Sequence, residues 1–215
     1  MRHSTIYCTL AALIALSSAA NATTFRFDTD PFAGTPVLTA PGRQIVGGEL
    51  FINFFTATDV FSFDSATFGV GSTVNFAGTS APNVPASGVN VVTLLTFDDD
   101  NNPLTPFGAG NAANLIASRV TTPGPGFFIY FNQSLDLPRL VYSTDLSSTD
   151  SDLRILARML NLFDNTGKNA MSTFTAANFT FTNSAAPTPE PSSLPMILGG
   201  ACLCFLGRRR LRGRL

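Results

Sequence analysis

Asp98, Asp100 and Asn102 stand at alternate positions, and in this 215-residue chain they are the side chains best spaced for chemistry. An Asp-x-Asp-x-Asn run puts hard oxygen ligands into one turn, which suits Ca²⁺. An EF-hand loop would then carry Gly at the next position and Glu six residues further on. Here those positions are Pro103 and Ala109. Two readings follow: a calcium site, in which the ion relieves the crowding of Asp98, Asp99 and Asp100, and a solvated acidic turn closing a strand. Calcium is the one cofactor that the residues raise.

Other catalytic chemistry is constrained by what the chain lacks. Its single histidine is His3, and its cysteines are Cys8, Cys202 and Cys204. Residues 23–186 therefore hold no His and no Cys. That removes Ser-His and Cys-His nucleophile pairs, histidine zinc sites, imidazole proton shuttles and disulfides. A glycosidase needs only two carboxylates, but one sequence pairs none of them in space. Glycan-binding modules use exposed Trp or Tyr platforms; the chain has no Trp, and 23–186 offers only Tyr130 and Tyr142. No catalytic residue is assigned, and a non-enzyme is expected.

The elements that would position these groups read as strands. Thr24–Asp28 and Asp59–Asp64 alternate, with Phe25 and Phe27, then Phe61 and Phe63, on one face. Glu49–Phe55 and Phe127–Phe131 read as buried strands, and Val70–Ala77 and Val89–Phe97 as two more. Asn111–Val120 fits a short helix or a strand. Leu137–Thr144 reads as a strand whose Pro138 end lies at a sheet edge. Residues 151–163 fit both periods; a strand, turned at Asp164–Gly167 into a hairpin with 171–181, suits the surroundings better. Phe55-Thr-Ala57 with Phe-Ser-Phe, and Phe174-Thr-Ala176 with Phe-Thr-Phe, echo one another, which two strands solving one packing problem explain as well as a repeat would. The expected fold is all-β, a β-sandwich with the jelly roll as one form of it.

Both ends carry different signals. Arg2 and His3, the apolar run Ile6–Leu16 and Ala20-Asn21-Ala22 form a secretory signal peptide over residues 1–22, cut after Ala22. At the other end, Pro189-Glu190-Pro191-Ser192-Ser193 precedes an apolar run over 194–207 and the basic cluster Arg208, Arg209, Arg210, Arg212 and Arg214. As a helix, that run of 14 residues spans about 21 Å, short of the roughly 30 Å hydrocarbon core. The arginines suit a cytoplasmic membrane face. A short apolar segment of this kind is better suited to a transient sorting signal than to a permanent anchor.

This order resembles the PEP-CTERM sorting signal of exported Gram-negative bacterial proteins, over residues 187–215. The resemblance implies recognition by an exosortase-type membrane enzyme and removal of the tail. It also implies passage from an inner-membrane-anchored precursor to the cell surface or an extracellular polysaccharide matrix. The expected organisation is signal peptide 1–22, exported domain 23–186 and sorting signal 187–215, the last made of motif 187–193, short transmembrane helix 194–207 and Arg cluster 208–214. Expected partners are signal peptidase, the exosortase, the membrane and matrix polysaccharide. Residues 23–186 hold 13 acidic against seven basic residues, a net of −6, which argues against nucleic acid. The expected role is a non-catalytic surface or matrix protein; a carbohydrate-binding module and a glycosidase are the alternatives.

Overall fold

The computed structural model describes residues 21–183 except 36, 38–41 and 103. In chain order its strands are β1 (Thr24–Phe27), β2 (Ile45–Val46), β3 (Leu50–Ile52), β4 (Val60–Asp64) and β5 (Phe76–Thr79). Then come β6 (Val91–Leu94), β7 (Gly126–Asn132), β8 (Leu137–Ser143), β9 (Leu153–Met159) and β10 (Phe179–Thr182). The helices are α1 (Ser65–Phe68), α2 (Ala109–Ala117) and α3 (Asp164–Met171). The domain is β-rich. Among the described residues no helix is long and apolar enough to cross a membrane.

Three short Phe-x-Phe strands build the smaller sheet. β1, β4 and β10 run parallel in the order β1-β4-β10. Their register aligns Phe25 with Phe61 and Phe179, and Phe27 with Phe63 and Phe181. Because side chains alternate across a strand, all six rings fall on one face. Phe61 and Phe63 are completely buried. Phe61 stacks on Phe54 at 4.2 Å between centroids, and Phe63 on Phe127 of the larger sheet at 3.8 Å. The echo between the 55–63 and 174–181 stretches thus reflects neighbouring strands of one sheet.

The larger sheet has the order β2-β9-β8-β7-β6-β5, with β3 also paired to β9. Its two faces enter different apolar clusters. Val91, Phe127, Ile129, Leu140 and Tyr142 meet the phenylalanines of the smaller sheet. Val92, Leu94, Phe128, Tyr130 and Val141 meet Ala109, Ala112, Ala113 and Ile116 of α2. Burial on both sides explains why β7, Gly-Phe-Phe-Ile-Tyr-Phe-Asn, is nearly continuous in apolar residues. Between Leu140 and Val141 the pairing with β9 slips around Leu156. This bulge turns Leu153 and Ile155 to the helix side and Ala157 and Met159 to the phenylalanine side.

Several sequence expectations change here. Jelly rolls pair their strands antiparallel; here β1–β4–β10, β5–β6–β7 and the β2 and β3 contacts with β9 are parallel, and only β7–β8–β9 is antiparallel. Parallel neighbours need crossovers, and the 111–120 stretch falls in the one between β6 and β7, where α2 (Ala109–Ala117) covers most of it. Residues 153–159 are a strand, yet the expected hairpin is absent: α3 follows, and β10 joins β4. Gly167 permits that helix, since a Cβ there would lie 2.3 Å from the Leu162 carbonyl oxygen. In the 49–55 stretch Leu50 and Phe51 are exposed, not buried. β8 is an interior strand; Pro138 lies just beyond the last residue paired with β9, Arg139, so its missing N–H costs that ladder nothing.

Candidate functional site

The acidic turn is built from its own hydrogen bonds. Asp98 Oδ1 accepts from the N–H groups of Asp100 (3.1 Å) and Asn101 (3.0 Å). Asp100 Oδ1 accepts from Asn102 N (2.9 Å), and its Oδ2 from the Thr105 hydroxyl (2.6 Å). Asn102 Oδ1 accepts from Leu104 N (3.1 Å). Asn101 takes the left-handed conformation with φ 56°, which asparagine tolerates better than most residues. The Thr105 hydroxyl, with further donors in the turn, holds the Asp100 carboxyl below its ordinary value. Asp99 Oδ2 accepts from Asn111 Nδ2 at 2.7 Å, which ties the turn to the first turn of α2.

The turn does bring Asp98, Asp99 and Asp100 together, with a carboxylate oxygen of each inside 4.8 Å of the others. Asn102 is joined to the group through its backbone N–H, which donates to Asp100. The grouping alone assigns no metal, because exposed acidic turns satisfied by their own backbone are common. Tyr130 and Tyr142 cannot serve as a glycan platform: they are 0% and 7% exposed. The Tyr130 hydroxyl accepts from Asn132 Nδ2, and the Tyr142 hydroxyl donates to the Phe68 carbonyl at 2.9 Å. Burial raises both phenols, Tyr142 to about 12. Ala22 is exposed coil. Ala20, Pro189, Glu190, Pro191 and the arginines from 208 to 214 lie outside the described residues.

A charged group that spacing did not reveal sits on the helix side of the larger sheet. Tyr130, Arg139, Arg158 and Phe51 form one cross-strand row over β7, β8, β9 and β3. Glu49, just before β3, closes the row. Its Oε1 accepts from Arg139 at 2.6 Å and from Arg158 at 2.5 Å, and its side chain is 8% exposed. The Phe51 ring lies 4.9 Å from the Arg158 guanidinium carbon. Burial alone would raise the Glu49 carboxyl, but a backbone N–H and the two guanidiniums outweigh it and hold it at about 2. The Nε atoms of Arg139 and Arg158 are buried without a partner. Glu49 is 90 and 109 positions from its two partners, so no motif could announce the cluster. The one signal was the arginines inside two largely apolar strands, one in Leu-Pro-Arg-Leu-Val-Tyr-Ser and two in Leu-Arg-Ile-Leu-Ala-Arg-Met.

On the opposite face a cleft of about 210 Å³ is lined by Arg26, Asp28, Asp30, Gly48, Leu50 and Arg154, among others. Gly48 has φ +101°, and a Cβ there would lie 2.9 Å from an Arg154 nitrogen. The bulge at Leu156 is what sends Arg154 to this face and Arg158 to the other. The cleft carries both signs of charge. No family model, curated protein or solved structure matches the chain.

Proposed function

We propose that this is an exported, non-catalytic β-sandwich protein, delivered by a PEP-CTERM-type tail to the cell surface or the extracellular polysaccharide matrix. The observation that carries the reading is the order Pro189-Glu190-Pro191, apolar run 194–207, arginines 208–214, set opposite a signal peptide at residues 1–22. The span of the folded elements supports it. Among the described residues they run from Thr24, just past the expected cut after Ala22, to Thr182. The acidic balance of 23–186 and its lack of His and Cys favour a structural role over a catalytic one. Burial of Tyr130 and Tyr142 takes away the residues on which a glycan-binding role would have rested.

The test is the intact mass of the protein purified from its native host and from a strain lacking the exosortase. The expected host product starts at Thr23 and ends near Pro189–Pro191, while the strain without the enzyme keeps the arginine tail. An intact Leu215 in both strains would replace a processed signal with a plain membrane anchor.

A further inference from the structure

Thr23, the first residue after the expected signal cut, is held by both of its backbone groups. Its N–H donates to Asp59 Oδ1 at 3.0 Å, and its carbonyl accepts from Val60 N at 2.9 Å. This clamp seats β1 on β4 immediately before their first paired residues, Thr24 and Val60. Asp59 is 1% exposed. Its Oδ2 accepts from Phe55 N at 2.9 Å, and its Oδ1 also from the Thr58 hydroxyl at 3.1 Å. Among the described residues no lysine or arginine pairs with it, since both ion pairs belong to Glu49. A buried carboxylate held only by neutral donors is poorly compensated, whereas a charged donor makes a shorter and stronger bond. Asn21 and Ala22 are exposed and outside any strand or helix, so the bond between Ala22 and Thr23 is open to a protease.

We propose that removal of the signal peptide supplies the missing counter-charge: hydrolysis of the Ala22–Thr23 bond turns the Thr23 nitrogen into an α-ammonium that pairs with Asp59 and locks β1 into the smaller sheet. One water is consumed. The C–N bond breaks, the water's oxygen stays on the new Ala22 carboxylate, and the Thr23 amine takes up a proton at neutral pH, its ordinary value being about 7.7–8.0. Export thereby becomes a folding signal: the leader-bearing chain has an amide N–H at Asp59, and the processed chain has a cation there. The position of the cut rests on the export reading above, and its consequence rests on the geometry around Asp59.

Two chains, 23–215 and 22–215, released from a fusion by a protease that leaves no extra residue, differ by Ala22 and so in where the ammonium sits. One added residue moves it by up to about 3.8 Å. The 23–215 chain is expected to melt roughly 3–6 °C higher at neutral pH, and the difference should vanish when both carry Asp59→Asn. Acylation of the α-amine at neutral pH should be about tenfold slower for 23–215. That comparison decides the matter alone if Asp59→Asn fails to fold. Equal melting points or equal acylation rates overturn the ion pair and leave the export reading standing. A host product that starts at another residue overturns the ion pair alone, and one that keeps Met1 overturns both.

Discussion

The central strands of the larger sheet are buried on both faces, and the two faces are closed by different physics. On one, phenylalanines of three parallel strands stack against Phe127, and the smaller sheet brings no charged side chain into the layer. On the other, the alanines of α2 allow close helix packing over Phe128 and Tyr130, and beyond the helix the cover becomes Glu49, Arg139, Arg158 and Phe51. Hydrophobic burial is non-directional and grows with area, so the phenylalanine face should lose most from lost volume. The ion cluster depends on direction and charge, so it should respond to pH and to conservative changes that leave volume alone.

Phe63→Ala is the strongest way to break this contrast. The ring is fully buried and contacts rings of both sheets, so truncation is expected to cost about 3–5 kcal/mol, read from urea unfolding. A loss below about 1 kcal/mol would mean that the two sheets do not rely on this layer. Glu49→Gln keeps the shape of the charged face but removes its anion, leaving two arginines side by side. About 2 kcal/mol is expected at pH 7. The carboxyl is held at about 2, below its ordinary value, so its contribution is complete above roughly pH 5 and is lost as pH falls towards 2. The gap between wild type and Glu49→Gln should therefore close on acidification. A gap that persists at pH 2 would make the loss one of packing.

Ala112→Val probes the same face where the helix covers it. Ala112 is fully buried, so extra methyl groups would push α2 off the sheet at a cost of about 1–2 kcal/mol. Thermal unfolding measures it. A neutral result would mean that the helix packs loosely.

The phenylalanine face was legible because it is written locally. Period-two alternation marked Phe25, Phe27, Phe61, Phe63, Phe179 and Phe181 before any pairing was known, and the run at 127–131 announced a strand buried on both sides. The direction of pairing was not legible, since Phe-x-Phe suits parallel and antiparallel neighbours equally. Asp164-Asn-Thr-Gly167 has the composition of a turn and instead opens α3, because Gly167 admits a backbone approach that composition does not record. Asp98 and Asp100 were found by their spacing, and what the turn adds is their hydrogen bonding. The charged cluster joins residues about a hundred positions apart, and the Asp59–Thr23 contact joins residues 36 apart. Neither leaves a periodic trace.

The smallest effect tests whether the charged face needs its cover. Phe51 is 64% exposed, so burial alone gives it little reason to matter. Its ring nevertheless lies over Arg158, where a cation–π contact is worth about 0.5–1 kcal/mol. Phe51→Ala should cost that amount, and it should also admit solvent to the Glu49–Arg158 contact. Because buried pairs are screened less than exposed ones, the variant should lose more stability than wild type between about 0.05 and 0.5 M salt. Phe51→Leu restores the apolar cover without the aromatic face, so it should recover the salt response but not the full stability. If alanine and leucine variants respond to salt as wild type does, the ring is only a neighbour of the pair, and the charged face is held by Glu49 alone.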